Sequence, residues 1–137
     1  MARVLVIEDD RQMRALIRQM LERVGHEVVE ASDGATGLRS FSACPTDLVV
    51  VDLYMPEQGG WATIRALHRT APGLPIVVVS GGAALEGLRR GTPGTLAAAR
   101  HMAGVRVLRK PFTWEALTSA VAELLRVDDA AQAGGRR

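Results

Sequence analysis

Three stretches of this chain are runs of Val, Leu and Ile with no polar residue among them: Val4-Leu5-Val6-Ile7, Leu48-Val49-Val50-Val51 and Ile76-Val77-Val78-Val79. Successive side chains of a strand point to opposite faces, so a run without alternation is apolar on both sides. Such strands belong in a parallel sheet covered on both faces by helices. Two further strand candidates, Glu27-Val28-Val29-Glu30 and Val105-Arg106-Val107-Leu108, carry polar residues and read as edges.

The segments between them have helical periodicity. Met13, Leu16, Ile17, Met20, Leu21 and Val24 repeat at three- and four-residue spacing, and Gly25 offers a stop. Trp114, Leu117, Val121, Leu124 and Leu125 form a similar stripe, with Thr113 placed to cap it. Weaker stripes are Ala35, Leu38 and Phe41; Trp61, Ile64 and Leu67; and Leu96, Ala99 and Met102. Both tryptophans fall on these stripes and read as core. Five β-α units in succession, joined by right-handed crossovers, make a doubly wound α/β sandwich.

With 137 residues the chain is the size of one domain, and 47% apolar residues are ample for one core. The segment after Val127, Asp128-Asp129-Ala-Ala-Gln-Ala-Gly-Gly-Arg-Arg137, has no apolar stripe and reads as a disordered tail over 128–137. The domain proper is therefore 1–127, and no output domain is expected beyond it. A formal charge of +2 and Arg-Arg pairs only at 89–90 and 136–137 leave no basic patch for nucleic acid. Cys44 is alone, so no disulfide or multi-cysteine metal site forms within the chain; it reads as a small structural residue at a helix end. No apolar run is long enough for a membrane span, and Glu8-Asp9-Asp10 interrupts the only short one near the amino terminus. The expected location is cytoplasmic.

All strands of a parallel sheet end at the same edge, which is where ligands bind in such folds. Glu8 and Asp9 follow the first strand, Asp52 the third, Ser80 the fourth and Lys110 the fifth. Three carboxylates crowded together repel unless a cation offsets them. An all-oxygen donor set suits a hard ion, and Mg²⁺ takes one or two carboxylates together with waters and phosphate oxygens. A carboxylate can also act as a nucleophile and form an aspartyl-phosphate. Lys110 and Ser80 then supply charge and a donor for the phosphoryl oxygens. Lys110 is the sole lysine beside sixteen arginines. Taken singly, each residue has an ordinary reading. Asp9 or Asp10 caps a helix, Asp52 or Ser80 makes a turn, and Lys110 is a surface cation. Their convergence on one edge is what the ordinary readings leave unexplained.

Five segments in order resemble the receiver domains of two-component response regulators, over roughly 2–126: Val4-Leu-Val-Ile-Glu-Asp-Asp10, Glu30-Ala-Ser-Asp-Gly34, Asp47-Leu-Val-Val-Val-Asp-Leu-Tyr-Met-Pro56, Val77-Val-Val-Ser80 and Lys110-Pro-Phe112. The resemblance implies a flavodoxin-like sheet of order 2-1-3-4-5, with Asp52 as phosphoacceptor. It implies an Mg²⁺ site formed by Asp9 and Asp52, by Glu8 through water, and by the backbone carbonyl of Tyr54. Ser80 is implied as the hydroxyl that turns toward the phosphoryl group, Lys110 as its cationic partner, and the bond before Pro111 as cis. Asp10 falls one place past the pocket and reads as a helix cap. The implied donor is a phosphohistidine on a sensor histidine kinase or phosphotransfer protein, since His26, His68 and His101 match no donor motif. The implied output is phosphorylation-dependent contact with a downstream protein, from a stand-alone receiver that is not an enzyme in the ordinary sense.

The chain also departs from the family pattern. Val107 stands where many relatives place an aromatic switch residue. The stretch from Ser80 to Lys110 is long, and 81–94 contains five glycines; it reads as an enlarged loop that takes over the phosphorylation-sensitive surface. Gly59 replaces the usual acidic residue before Gly60, which reads as a loosened turn. Tyr54 is placed to obstruct the water that would hydrolyse the acyl phosphate. Rival readings are weaker. A dehalogenase-type phosphatase needs an Asp where Tyr54 stands, and a flavin module needs a phosphate loop where Glu8-Asp9-Asp10 would repel one. The alternative that survives is a receiver-like scaffold acting without phosphorylation.

Overall fold

The computed structural model describes residues 1–53, 59–81, 98–99 and 101–135, with side chains described through 127. Five strands, β1 (Arg3–Ile7), β2 (Glu27–Ala31), β3 (Leu48–Asp52), β4 (Ile76–Ser80) and β5 (Val105–Arg109), form one sheet. Helices α1 (Arg11–Arg23), α2 (Gly34–Ala43), α3 (Gly60–Thr70) and α4 (Trp114–Gly135) are the long helices among the described residues. The sheet order is β2-β1-β3-β4-β5 and every pairing is parallel. The two polar-containing strands, β2 and β5, are the edges.

The unalternating runs are explained by two separate core layers. Leu5, Ile7, Val49, Val51, Ile76 and Val78 pack on one face with Phe41 of α2 and with Ile64 and Leu67 of α3. Val4, Val6, Leu48, Val50, Val77 and Val79 pack on the other with Ile17 and Leu21 of α1 and with Leu117, Val121 and Leu124 of α4. Each fully buried Val, Leu or Ile contributes about 1.5–3 kcal/mol, so both layers are needed to hold the central strands.

Helix boundaries follow local chemistry. The Asp10 carboxylate accepts from the amides of Gln12 and Met13 at 2.9 and 3.1 Å. Asp33 accepts from Thr36 at 2.8 Å, and Thr113 accepts from Ala116 at 3.0 Å. Gly25 ends α1 at φ +96°, a conformation that disfavours any residue with a Cβ. Cys44 is the C-cap of α2 and is exposed. Gly59 caps α3 with no side-chain bond, at φ −62° and ψ 154°. That backbone suits any residue, and no described atom lies within 4 Å of its would-be Cβ. Gly59→Ser is expected to stabilise the fold by about 0.5–1 kcal/mol, by restoring a cap and stiffening the unfolded chain; chemical denaturation with an unchanged slope measures it.

Three sequence readings need correction. Trp114 is 40% exposed, because the first residue of α4 lies beyond the layer that Leu117 begins. Leu16 and Val24 are each 43% exposed, since the ridge of α1 that packs on the core layer is Met13, Ile17, Met20 and Leu21. Helix α4 runs on to Gly135, through most of the segment read as a disordered tail. An Ala-rich sequence propagates readily from a helix already nucleated by packing. Tyr54 and the glycine-rich stretch 82–94 lie outside the described residues. Val107 is partly buried against the α2–α3 layer.

Candidate functional site

The parallel register brings the carboxyl ends of β1, β3, β4 and β5 to one edge. Glu8, directly after β1, is fully buried and donates its amide to Ala31 O at 3.1 Å. Asp52, the last residue of β3, is 5% exposed, and Ser80, the last of β4, is 1% exposed. Lys110 follows β5; its amide donates to Ser80 O at 2.7 Å, and the Lys110–Pro111 peptide is cis. Lys110 Nζ donates to Glu8 Oε1 at 2.8 Å and reaches Asp52 Oδ2 at 3.4 Å. Gly81 leaves room for its stem, since a Cβ there would stand 3.2 Å from Lys110 Cδ. Asp9 stands at the solvent rim.

Glu8, Asp9 and Asp52 each bring a carboxylate oxygen within 4.8 Å of the others. Oxygens sharing one Mg²⁺ at about 2.1 Å lie within about 4.2 Å of each other, so the donor set fits with a small inward movement. Ser80 Oγ is buried and has no hydrogen-bond partner among the described residues. An unpaired buried hydroxyl costs on the order of 1–3 kcal/mol, which an incoming acceptor oxygen would relieve.

The electrostatics agree with this geometry. Burial pushes the Glu8 carboxyl above its usual range, and its contact with Asp52 adds to the shift against the opposing pull of Lys110. Partial desolvation, then the neighbouring Glu8, also raise Asp9. Burial lowers the Lys110 ammonium, but Glu8 and Asp52 outweigh it and hold the group above its ordinary value. The site is therefore an acidic cluster that resists full ionisation with a single fixed ammonium inside it.

A raised native pKa means that the folded protein holds protons that the unfolded chain has lost. Stability therefore falls as pH rises from the ordinary Glu8 value of 4.5 through the native one. A divalent cation offsets that repulsion only when the carboxylates are ionised. Mg²⁺ at a tenfold excess over its Kd is expected to add about 1.4 kcal/mol at neutral pH. The gain should shrink toward about pH 4.5 as the cluster protonates. Glu30 and Asp33 are shifted downward, by Arg18 and by the Thr36 amide respectively, and titrate in the opposite sense. The metal-induced change in Tm across pH is thus the diagnostic quantity; a pH-independent change would contradict the assignment.

All five side chains singled out from sequence, Glu8, Asp9, Asp52, Ser80 and Lys110, meet at this edge. Two residues at the site carried no sequence signal of their role. Gly60 lies so close to β3 that a Cβ would stand 1.9 Å from Asp52 O and 2.6 Å from Leu53 Cα, while its amide donates to Leu53 O at 3.0 Å. Arg14 of α1 reaches back to the Glu8 carbonyl at 2.9 Å.

Among the described residues no helix is long and apolar enough to cross a membrane. Known proteins resemble the chain in sequence and in fold. The chain is 33% identical over 133 residues to the response regulator MprA of Mycobacterium leprae, covering 95% of this chain and 55% of that protein. It is 32% identical over 124 residues to the DNA-binding transcriptional regulator NtrC of Azospirillum brasilense, covering 90% of this chain and 24% of that one. The chain thus spans about half or less of the length of these curated relatives. Among solved structures, a response regulator receiver domain protein from Clostridium thermocellum superposes with a TM-score of 0.80 at 27% identity, covering 96% of this chain and 99% of that one. A response regulator receiver protein from Sinorhizobium medicae gives 0.74 at 29%, covering 92% and 95%. The response regulator receiver domain family matches residues 4–122. A five-stranded parallel sheet of this order, the acidic edge and the family match over most of the chain lead to one conclusion: the chain belongs to the response regulator receiver domains of two-component signalling.

Proposed function

We propose that Asp52 accepts a phosphoryl group from a phosphohistidine of a sensor histidine kinase or phosphotransfer protein, in a receiver unit spanning 1–127. In this reading an Asp52 carboxylate oxygen attacks phosphorus, the P–N bond to the donor imidazole breaks, and its electron pair returns to that ring nitrogen. The observation that best supports it is the buried Asp52 carboxylate, 3.4 Å from the Lys110 ammonium and on the same edge as the unpartnered Ser80 hydroxyl. Lys110 holds positive charge where the transferred oxygens would arrive, and Ser80 has a hydrogen bond to give them. Asp9 and Asp52 would hold Mg²⁺ directly, Glu8 through water, and the Tyr54 carbonyl would complete the protein ligands. The ion, when bound, would neutralise charge on the phosphoryl oxygens. Output would pass through protein contacts that change with phosphorylation.

The test is to incubate the protein with Mg²⁺ and a small acyl phosphate and to record intact mass. One phosphoryl group should be added, mapped to the peptide containing Asp52, and chelating the metal beforehand should abolish the addition. Failure to add a group from both a small donor and a panel of phosphorylated histidine kinases would discard the phosphoacceptor reading in favour of a scaffold.

A further inference from the structure

We infer that Arg14 is a positioning residue for the acidic pair Glu8 and Asp9, and that it sets the affinity of this edge for a divalent cation; the inference rests on the Mg²⁺ reading above. The turn between β1 and α1 carries both carboxylates, and Glu8 is pinned there by each of its polar groups. Its amide donates to Ala31 O on β2 at 3.1 Å. Its side chain accepts from Lys110 Nζ at 2.8 Å and from the Asp10 amide at 3.3 Å. Its carbonyl accepts from Arg14 Nη1 at 2.9 Å.

That last bond matters for Asp9 as well. The Glu8 carbonyl and the Asp9 amide share one planar peptide, so orienting the carbonyl sets the direction from which the Asp9 chain departs. Asp9 lies at the solvent rim, outside the packing that locks Glu8 and Asp52, and depends on its backbone for placement. Arg14 is itself braced. Its Nε donates to Glu30 Oε1 on β2 at 3.2 Å, and its side chain is only 18% exposed. The guanidinium thus spans from strand β2 across the turn to the Glu8 carbonyl, using two edges of one rigid fork. A lysine ammonium carries the same charge but not that fixed two-point geometry.

Arg18 provides the matched comparison. It also pairs with Glu30, at 2.5 Å, and with Glu22 at 3.2 Å, but its side chain is 43% exposed and it makes no bond to the Glu8 backbone. If the ion pairs of α1 acted only on stability, removing Arg18 would affect metal binding as much as removing Arg14.

The experiment titrates Mg²⁺ alone into the full chain by calorimetry, with a thermal melt of each variant. Arg14→Met keeps the stem that covers the turn and removes every donor. Its Mg²⁺ Kd is expected to rise about tenfold, in the range seen when groups that orient metal ligands are removed. Arg14→Lys is expected to recover little of this, and Arg18→Met to match the wild type. Unchanged affinity in Arg14→Met, equal losses in Arg14→Met and Arg18→Met, or full recovery in Arg14→Lys would each overturn the inference. A flat titration of the wild type would overturn it too, and would show that the metal reading itself had failed.

Discussion

Asp52→Asn is expected to take up no phosphoryl group from any donor, while melting a few degrees higher than the wild type in metal-free buffer. The loss is complete because a carboxamide is not a nucleophile toward phosphorus, and Glu8, the only other buried carboxyl among the described residues, is committed to Lys110. The gain in stability has a separate origin. Burial raises the Glu8 carboxyl, and its contact with Asp52 raises it further. Removing the Asp52 charge lets Glu8 ionise at lower cost, and Lys110 keeps its 2.8 Å partner. Relief of about 1 kcal/mol shifts Tm by a few degrees in a domain of this size. Mass spectrometry and a melt in chelator measure the two effects independently. A lower Tm would mean that the Asp52–Lys110 pair is net stabilising. Phosphoryl addition to Asp52→Asn would mean that another residue is the acceptor.

Gly60→Ala should be the most damaging small substitution near the site. The new methyl would meet Asp52 O at 1.9 Å and the Leu53 backbone at 2.6 and 2.7 Å. None of these is the movable end of a side chain, so either α3 or the end of β3 must shift. Overpacking of this kind costs about 1–3 kcal/mol and occasionally more. Because the nearest of the displaced atoms is the Asp52 carbonyl oxygen, Mg²⁺ affinity and phosphoryl uptake should fall along with stability. Gly59→Ala at the adjacent position is the control, since nothing described lies near its Cβ. Equal behaviour of the two variants in denaturation would show that α3 docks with more slack than these distances imply.

The contrast between these two glycines shows where sequence reasoning stops. Gly59-Gly60 reads as one loosened turn, and nothing in the residues separates an open cap from a point of backbone contact. The difference is created when α3 is laid against Asp52 and Leu53, through a hydrogen bond from Gly60 to Leu53 O. Leu16, Val24 and Trp114 illustrate the same limit. Their spacing correctly puts α1 and α4 against the sheet, but a 3.6-residue period does not say how wide a ridge the neighbouring layer covers. Arg14 carried no signal at all, because its two partners lie on the turn before its own helix and on a different strand.

By itself the sequence determined the class of fold and which polar residues gather at one edge of the sheet. Uninterrupted apolar runs must be buried on both faces, and a parallel sheet then delivers the residue after each strand to a common edge. Glu8, Asp9, Asp52, Ser80 and Lys110 were legible for that reason, as were the polar edge strands and the caps Asp10 and Thr113. Tertiary structure alone decided that Lys110 pairs more closely with Glu8 than with Asp52, that the Ser80 hydroxyl is left without a described partner, that Gly60 lies against the Asp52 carbonyl and that Arg14 bonds the Glu8 carbonyl. Local patterns report which face a side chain takes. Distances of a few tenths of an ångström between groups up to 102 residues apart are set only when the layers close on one another.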